Sequence, residues 1–230
     1  GGKTYFLLTL IEALLHTNAV LYILDPKNSD LADLGTVMPN VYHTKEEMID
    51  CVNAFYEGMV RRSEEMKRHP NYKTGENYAY LGLPPCFLIF DEYVAFFEML
   101  GTKESVGLLS QLKKIVMLGR QAGYFLIVAC QRPDAKYFSD GIRDNFNFRV
   151  GLGRISELGY GMLFGSDVKK QFFQKRIKGR GYCDVGTSVI SEFYTPLVPK
   201  GHDFLQTICS LAQARKDGTA TCEAKGDGTD

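Results

Sequence analysis

Apolar residues fall along this chain in two rhythms. Val20–Leu24, Cys86–Phe90 and Tyr124–Cys130 are apolar almost without a break. Runs this short and this continuous read as strands buried on both faces, as in a parallel sheet. Elsewhere the apolar positions recur at i, i+3 and i+4. Phe6, Leu7, Leu10, Ile11, Leu14 and Leu15 follow that spacing. So do Met48, Val52, Phe55, Tyr56 and Met59 within 45–67, and Leu109, Leu112, Ile115 and Val116 within 106–121. Each set lines one face of a helix. Phe146 to Gly151 reads as one more strand. Strand and helix thus alternate through residue 151, which predicts an α/β fold: a parallel sheet with helices on both faces. Two extended runs flank Val185-Gly186-Thr187-Ser188, and together they predict a hairpin on the sheet edge. Residues 1–204 then form one domain. From Ala212 the chain turns polar and rich in Gly, Asp, Lys and Thr. Residues 205–230 are therefore expected to be the end of a helix and a disordered or linker tail.

The chemistry sits where the strands stop. The run Pro84 to Phe90 ends in two adjacent acids, Asp91 and Glu92. Unpaired carboxylates are costly inside a core, so these two mark the carboxyl end of the strand. Open α/β sheets bind their ligands at that edge. An Asp there can hold Mg²⁺ and a following Glu can polarise a water; equally, the pair can end in a solvated turn. The strand Val20–Leu24 ends at Asp25-Pro26-Lys27, where the proline stops the ladder. The strand from Tyr124 ends at Gln131-Arg132-Pro133. Gln131 can sense a terminal phosphate or orient a water, or it can satisfy loop backbone.

Gly1-Gly2-Lys3-Thr4 directly precedes the first helical pattern. This is the second half of a phosphate-binding loop. Free N–H groups at a helix start attract anions, and glycine lets them come close. In that reading Gly1, Gly2, Lys3 and Thr4 cradle the phosphates of ATP, while Thr4 and Asp91 share Mg²⁺. Half a motif is weak; joined to Asp91 and Glu92 it gives the ATP–Mg²⁺ arrangement of P-loop ATPases. The chain opens inside this motif without an initiator Met, and reads as a piece of a longer protein.

Composition narrows the rest. The 230 residues carry 27 Lys and Arg against 27 Asp and Glu, so no global basic field exists for nucleic acid and any such contact must be local. Arg61-Arg62 reads as a solvated helix end, while 70–80 is a polar loop and 169–180 a basic segment where local cations gather. The six Cys show no metal-binding spacing, which fits a reducing compartment. No apolar run approaches the ~18 residues that suggest a membrane span.

The ordered motifs resemble one family. Gly2-Lys3-Thr4, Asp25-Pro26-Lys27, Arg61-Arg62, Leu83-Pro84 with Phe90-Asp91-Glu92, Arg120-Gln121-Ala122-Gly123, Ala129 to Pro133 and Gly179-Arg180-Gly181 fall in the order and spacing of FtsK/SpoIIIE-type DNA translocases of the HerA–FtsK superfamily. Within it the chain looks most similar to coupling proteins of Gram-positive conjugative elements. The resemblance implies a RecA-like P-loop fold, ATP and Mg²⁺, and a homo-hexamer threaded by double-stranded DNA. It also implies anchoring by membrane segments upstream, a position on the cytoplasmic face, and conjugation proteins such as a relaxase as partners. Glu92 would activate the water. Arg120 ends its helix as a cation that can serve a neighbour's site or stay within its own subunit, with Arg143 and Arg149 as alternatives. A chromosome-segregation motor, or an ATP-binding module that moves nothing, are the competing functions.

Overall fold

The structure is a computed structural model; it describes residues 2–138, 140–168, 170–172, 177–187 and 189–224. Its centre is a four-stranded sheet of β1 (Val20–Leu24), β2 (Val41–Tyr42), β3 (Cys86–Phe90) and β4 (Tyr124–Val128). The spatial order is β2-β1-β3-β4 and every pair is parallel. Parallel neighbours require crossovers, and helices supply them. α2 (Lys45–Arg68) links β2 to β3, while α3 (Tyr93–Glu98) and α4 (Thr102–Ala122) link β3 to β4.

The strands are apolar throughout because each feeds two cores. Alternate side chains point to opposite faces. Leu88 and Phe90 of β3 join α2, α3 and α4, whereas Phe87 and Ile89 join α1 (Lys3–Leu15) on the other face. β1 divides likewise, with Leu24 on the first side and Leu21 and Ile23 on the second.

Helix ends follow local chemistry. Thr44 Oγ1 accepts from the Glu47 N–H and Glu47 Oε2 accepts from the Thr44 N–H, a capping box that starts α2. α4 stops at Gly123, whose φ of 77° lets its N–H turn back to the Arg120 carbonyl. Arg62 departs from its expected solvated place. Its Nη1 donates to the Pro84 carbonyl at 2.7 Å and to the Ala122 carbonyl at 3.2 Å, and its guanidinium lies 4.8 Å from the Tyr124 ring centre. It ties together the chain entering β3 and the chain entering β4.

One expectation is corrected. The hairpin does not extend the parallel sheet. β6 (Arg180–Asp184) and β7 (Ile190–Tyr194) pair with β5 (Arg149–Leu152) in a separate antiparallel sheet, ordered β5-β6-β7. Two short helices, α5 (Asp140–Arg143) and α6 (Glu157–Phe164), flank β5 in the chain. Tyr160, Phe164, Tyr182 and Ile190 give this sheet its own small core. Its Phe193 meets Phe6 of α1 edge-on, with ring centres 5.3 Å apart. Where the sequence suggests a helix end and a tail, α7 runs Phe204–Ala224, with Ile208 and Ala212 buried against Leu7, Leu8, Ile11 and Leu15; residues 225–230 lie outside the described residues. Among the described residues, no helix is long and apolar enough to cross a membrane.

Candidate phosphate-loop site

Because the central strands are parallel, their carboxyl ends share one edge. Asp25 follows β1, Asp91 and Glu92 follow β3, and Gln131 lies just beyond β4. The N-terminus of α1 opens at the same place. Gly2 caps it in a left-handed conformation, φ 98°, and Phe6 N donates to the Gly2 carbonyl at 3.0 Å. A Cβ on Gly2 would approach the backbone N of Gly179 to 3.0 Å, so a side chain is excluded by both conformation and space.

Lys3 is the first helical residue, and its ammonium reaches both acids. Nζ stands 2.7 Å from Asp91 Oδ1 and 2.9 Å from Glu92 Oε2. Both acids are buried, at 5% and 6% exposure, so neither is a solvated strand end. Burial works against the charge on Lys3, but the bonds and charges of Asp91 and Glu92 outweigh it and raise the ammonium's pKa. Burial likewise pushes Glu92 up; the Gln131 N–H, Lys3 and Lys27 overcome it and hold the carboxyl below its usual range. Glu92 Oε1 accepts from Gln131 N at 2.8 Å. The Gln131 side chain is exposed. Nearby, burial above all pushes the Cys130 thiol up to about 12, so it stays a neutral thiol.

Glu92 adopts φ 64° and ψ 59°, an uncommon conformation for a residue with a side chain. Such outliers persist only where the surroundings impose them. Here the turn takes the chain from β3 straight into α3 while keeping two successive carboxylates at the sheet edge.

The donor set fits Mg²⁺. Asp91 Oδ1 is buried, and among the described residues its partner is the Lys3 ammonium at 2.7 Å. Thr4, half-buried, is the next helical residue after Lys3. Carboxylate and hydroxyl oxygens are the hard ligands this ion takes. For phosphates the fit is a glycine-capped helix start with an adjacent lysine.

The structure therefore brings together Lys3, Asp91 and Glu92, with the backbone of Gln131, while Gly2 and Thr4 flank Lys3 at the start of α1. Gly1 lies outside the described residues. Arg120 is not part of this cluster: exposed on the last turn of α4, it sits where β4 begins, at the opposite edge of the sheet. The 70–80 loop shares that edge, since Gln121 Nε2 donates to the Glu76 carbonyl. Of the two alternative arginines, Arg149 is held inside the second sheet, 2.9 Å from the buried Asp184. Arg143 pairs with its neighbour Asp144 at 3.1 Å. In the 169–180 segment, Lys169, Lys175 and Arg176 fall outside the described residues, while Lys170 Nζ donates to the Ile190 carbonyl at 2.6 Å. One site neighbour was not foreseen: Lys27 Nζ lies 3.4 Å from Glu92 Oε2. The signal was an Asp-Pro-Lys at a strand end in the same parallel sheet.

Fold and site together define a P-loop ATPase fold of the parallel α/β kind. No protein-family profile matches the chain. Curated proteins do. The FtsK domain-containing protein YdcQ of Bacillus subtilis strain 168 is 54% identical over 231 residues, covering 100% of this chain and 48% of that protein. The DNA translocase FtsK of Helicobacter pylori J99 is 23% identical over 234 residues, covering 94% of this chain and 26% of that protein. This similarity supports an FtsK/SpoIIIE-type domain, and the chain spans about half the length of the first of these relatives. Solved structures agree on the fold. The pCW3 conjugation coupling protein TcpA, as a monomer with ATPγS, superposes with a TM-score of 0.69 at 18% identity, over 92% of this chain and 62% of that one. The cytoplasmic domain of the Thermomonospora curvata type VII secretion ATPase EccC gives 0.64 at 19%, over 90% of this chain and 26% of that one.

Proposed function

We propose that this domain hydrolyses Mg²⁺-ATP to drive double-stranded DNA, as the coupling motor of conjugative DNA transfer. The observation that carries the hydrolysis is one ammonium, Lys3, held at a helix N-terminus against two buried carboxylates. Gly2 and the first N–H groups of α1 bind the phosphates, and Lys3 gives up its carboxylate contacts to pair with them. Thr4 and Asp91 would hold Mg²⁺, which when bound would supply neutralisation of phosphate charge. Glu92 accepts the proton of the attacking water; its fixed place, set by Gln131 N, orients that water. Gln131 itself faces outward, where it can meet a terminal phosphate.

DNA as the cargo is supported by relatives whose names describe a DNA translocase and a conjugation coupling protein; a homo-hexameric ring is what the resemblance to FtsK/SpoIIIE-type translocases implies. Membrane anchoring would come from segments outside this chain. Chromosome segregation is the rival use of the same chemistry.

The test compares the full-length parent with Lys3→Ala and Glu92→Gln. Lys3→Ala is expected to lose ATP binding with the fold retained, read by nucleotide titration and circular dichroism. Glu92→Gln is expected to bind ATP and Mg²⁺ normally and turn over ~10²-fold more slowly. Turnover by the parent should rise with added double-stranded DNA. Near-normal turnover in Glu92→Gln removes it as the base, and indifference to DNA removes DNA as cargo.

A further inference from the structure

The site edge carries a second lysine that the phosphate-loop chemistry leaves unused. Lys27 Nζ stands 3.4 Å from Glu92 Oε2, the same oxygen that Lys3 meets at 2.9 Å. The loop beneath it is built, not slack. Asp25 is fully buried at 0% exposure. Its Oδ1 accepts from Lys27 N at 3.2 Å, and its Oδ2 accepts from Ser29 N at 2.8 Å and Ala32 N at 3.0 Å. The Ser29 hydroxyl donates to the same carboxylate at 3.0 Å. Pro26 fixes its own φ between Asp25 and Lys27. One buried acid thus freezes residues 25 to 32, and Lys27 projects from that frame across the sheet edge. Its side chain is 46% exposed, and Glu92 is its charged partner among the described residues.

We infer that Lys27 is a positioning residue for Glu92, holding Oε2 in place when the Lys3 ammonium turns to the phosphates. This rests on the phosphate-loop reading and adds to it. A single ammonium cannot clamp a carboxylate and neutralise a phosphate equally well. Once Lys3 changes partner, Glu92 keeps the Gln131 N–H on Oε1 but loses its nearer contact on Oε2. Lys27, anchored independently through Asp25, remains on that oxygen. Glu92 sits on a left-handed backbone, φ 64°, where its approach to the site is narrowly set, so a lost hold on the carboxylate misplaces the water it must orient.

The experiment uses the full-length protein with double-stranded DNA, measuring ATPγS affinity by titration and steady-state ATP turnover. In Lys27→Met, turnover should fall by about tenfold or more while ATPγS affinity stays within about twofold, the signature of an interaction needed for the step and not for binding. Lys27→Arg, which keeps the charge, should recover most of the rate. In a Glu92→Gln background, Lys27→Met should cost nothing further, because residues acting through one another are not additive. Parent-like turnover in Lys27→Met overturns the inference. So does a loss of affinity matching the loss of rate, which would make Lys27 a nucleotide ligand, or an undiminished penalty in the Glu92→Gln background, which would make it structural. Unchanged ATP binding in Lys3→Ala is a separate result: it overturns the phosphate-loop reading first, and this inference with it.

Discussion

Gly2 shows how much one missing side chain decides. Its φ of 98° and the nearness of Gly179 leave no room for a methyl group. Gly2→Ala should cost on the order of 1–3 kcal/mol in backbone strain and disorganise the N–H groups that open α1. The expected outcome is a lower unfolding midpoint together with weaker ATP binding, read by thermal denaturation and nucleotide titration. Parent-like values for both would show that the turn relaxes freely. At this scale the sequence told a good deal where chemistry is encoded by neighbours along the chain. Lys3, Thr4, Asp91 and Glu92 were readable because each belongs to a short local pattern. Lys27 and Arg62 were not, because their partners lie 65 and 22 residues away in sequence, across the sheet (Lys27 to Glu92, 92 − 27; Arg62 to Pro84, 84 − 62). Spacing along a chain does not say which strand ends become neighbours.

Elements tell a similar story with a different cause. Three of the four central strands and the three longest amphipathic patterns were legible because burial on one or two faces leaves a pattern, whereas β2, two residues long, leaves no run to read. α7 reads as a tail past Ala212 because, among its described side chains, only a narrow stripe is covered. Ile208 and Ala212 reach the core while Cys209 and Ser210 stay exposed, so the average composition looks like a tail. The second sheet was misplaced for another reason: periodicity identifies a strand but not its partner. Packing between elements can be tested at Gly119. A Cβ there would collide with the Tyr124 carbonyl, a backbone atom that cannot turn aside. Gly119→Ala should lose ~1–3 kcal/mol, as overpacking does, despite alanine's better helix propensity. Denaturant unfolding checks it, and a stabilised variant would mean that α4 shifts to make room. The α2 cap is a milder case. Thr44→Ala removes the Oγ1 acceptor of the Glu47 N–H and should cost ~1 kcal/mol.

For the whole molecule, the separation of Arg120 from the phosphate site is the main fact. Arg120 ends α4 at the edge where the strands begin, whereas Lys3 and Glu92 lie where they finish. In the homo-hexamer proposed above, any part it plays in hydrolysis would be played in a neighbouring subunit. Mixing Arg120→Ala with Lys3→Ala protein should restore some turnover, since a shared interface can combine one intact arginine with one intact phosphate loop. Arginines supplied in this way are worth ~10³–10⁵ in rate, so even partial rescue is measurable. No recovery at any mixing ratio assigns Arg120 to its own subunit. The clasp of α7 on α1 has a consequence of another kind, in the order of biosynthesis. Arg215 Nη2 donates to the Ala19 carbonyl across 196 residues, and His202 Nε2 lies 2.7 Å from Glu12. Until α7 leaves the ribosome, the apolar face of α1 with Leu7, Leu8, Ile11 and Leu15 has lost part of its cover. The helix that carries the phosphate loop is made before α7 and gains its full cover only after it, so a nascent chain halted before residue 204 should display that face to chaperones and bind ATP poorly.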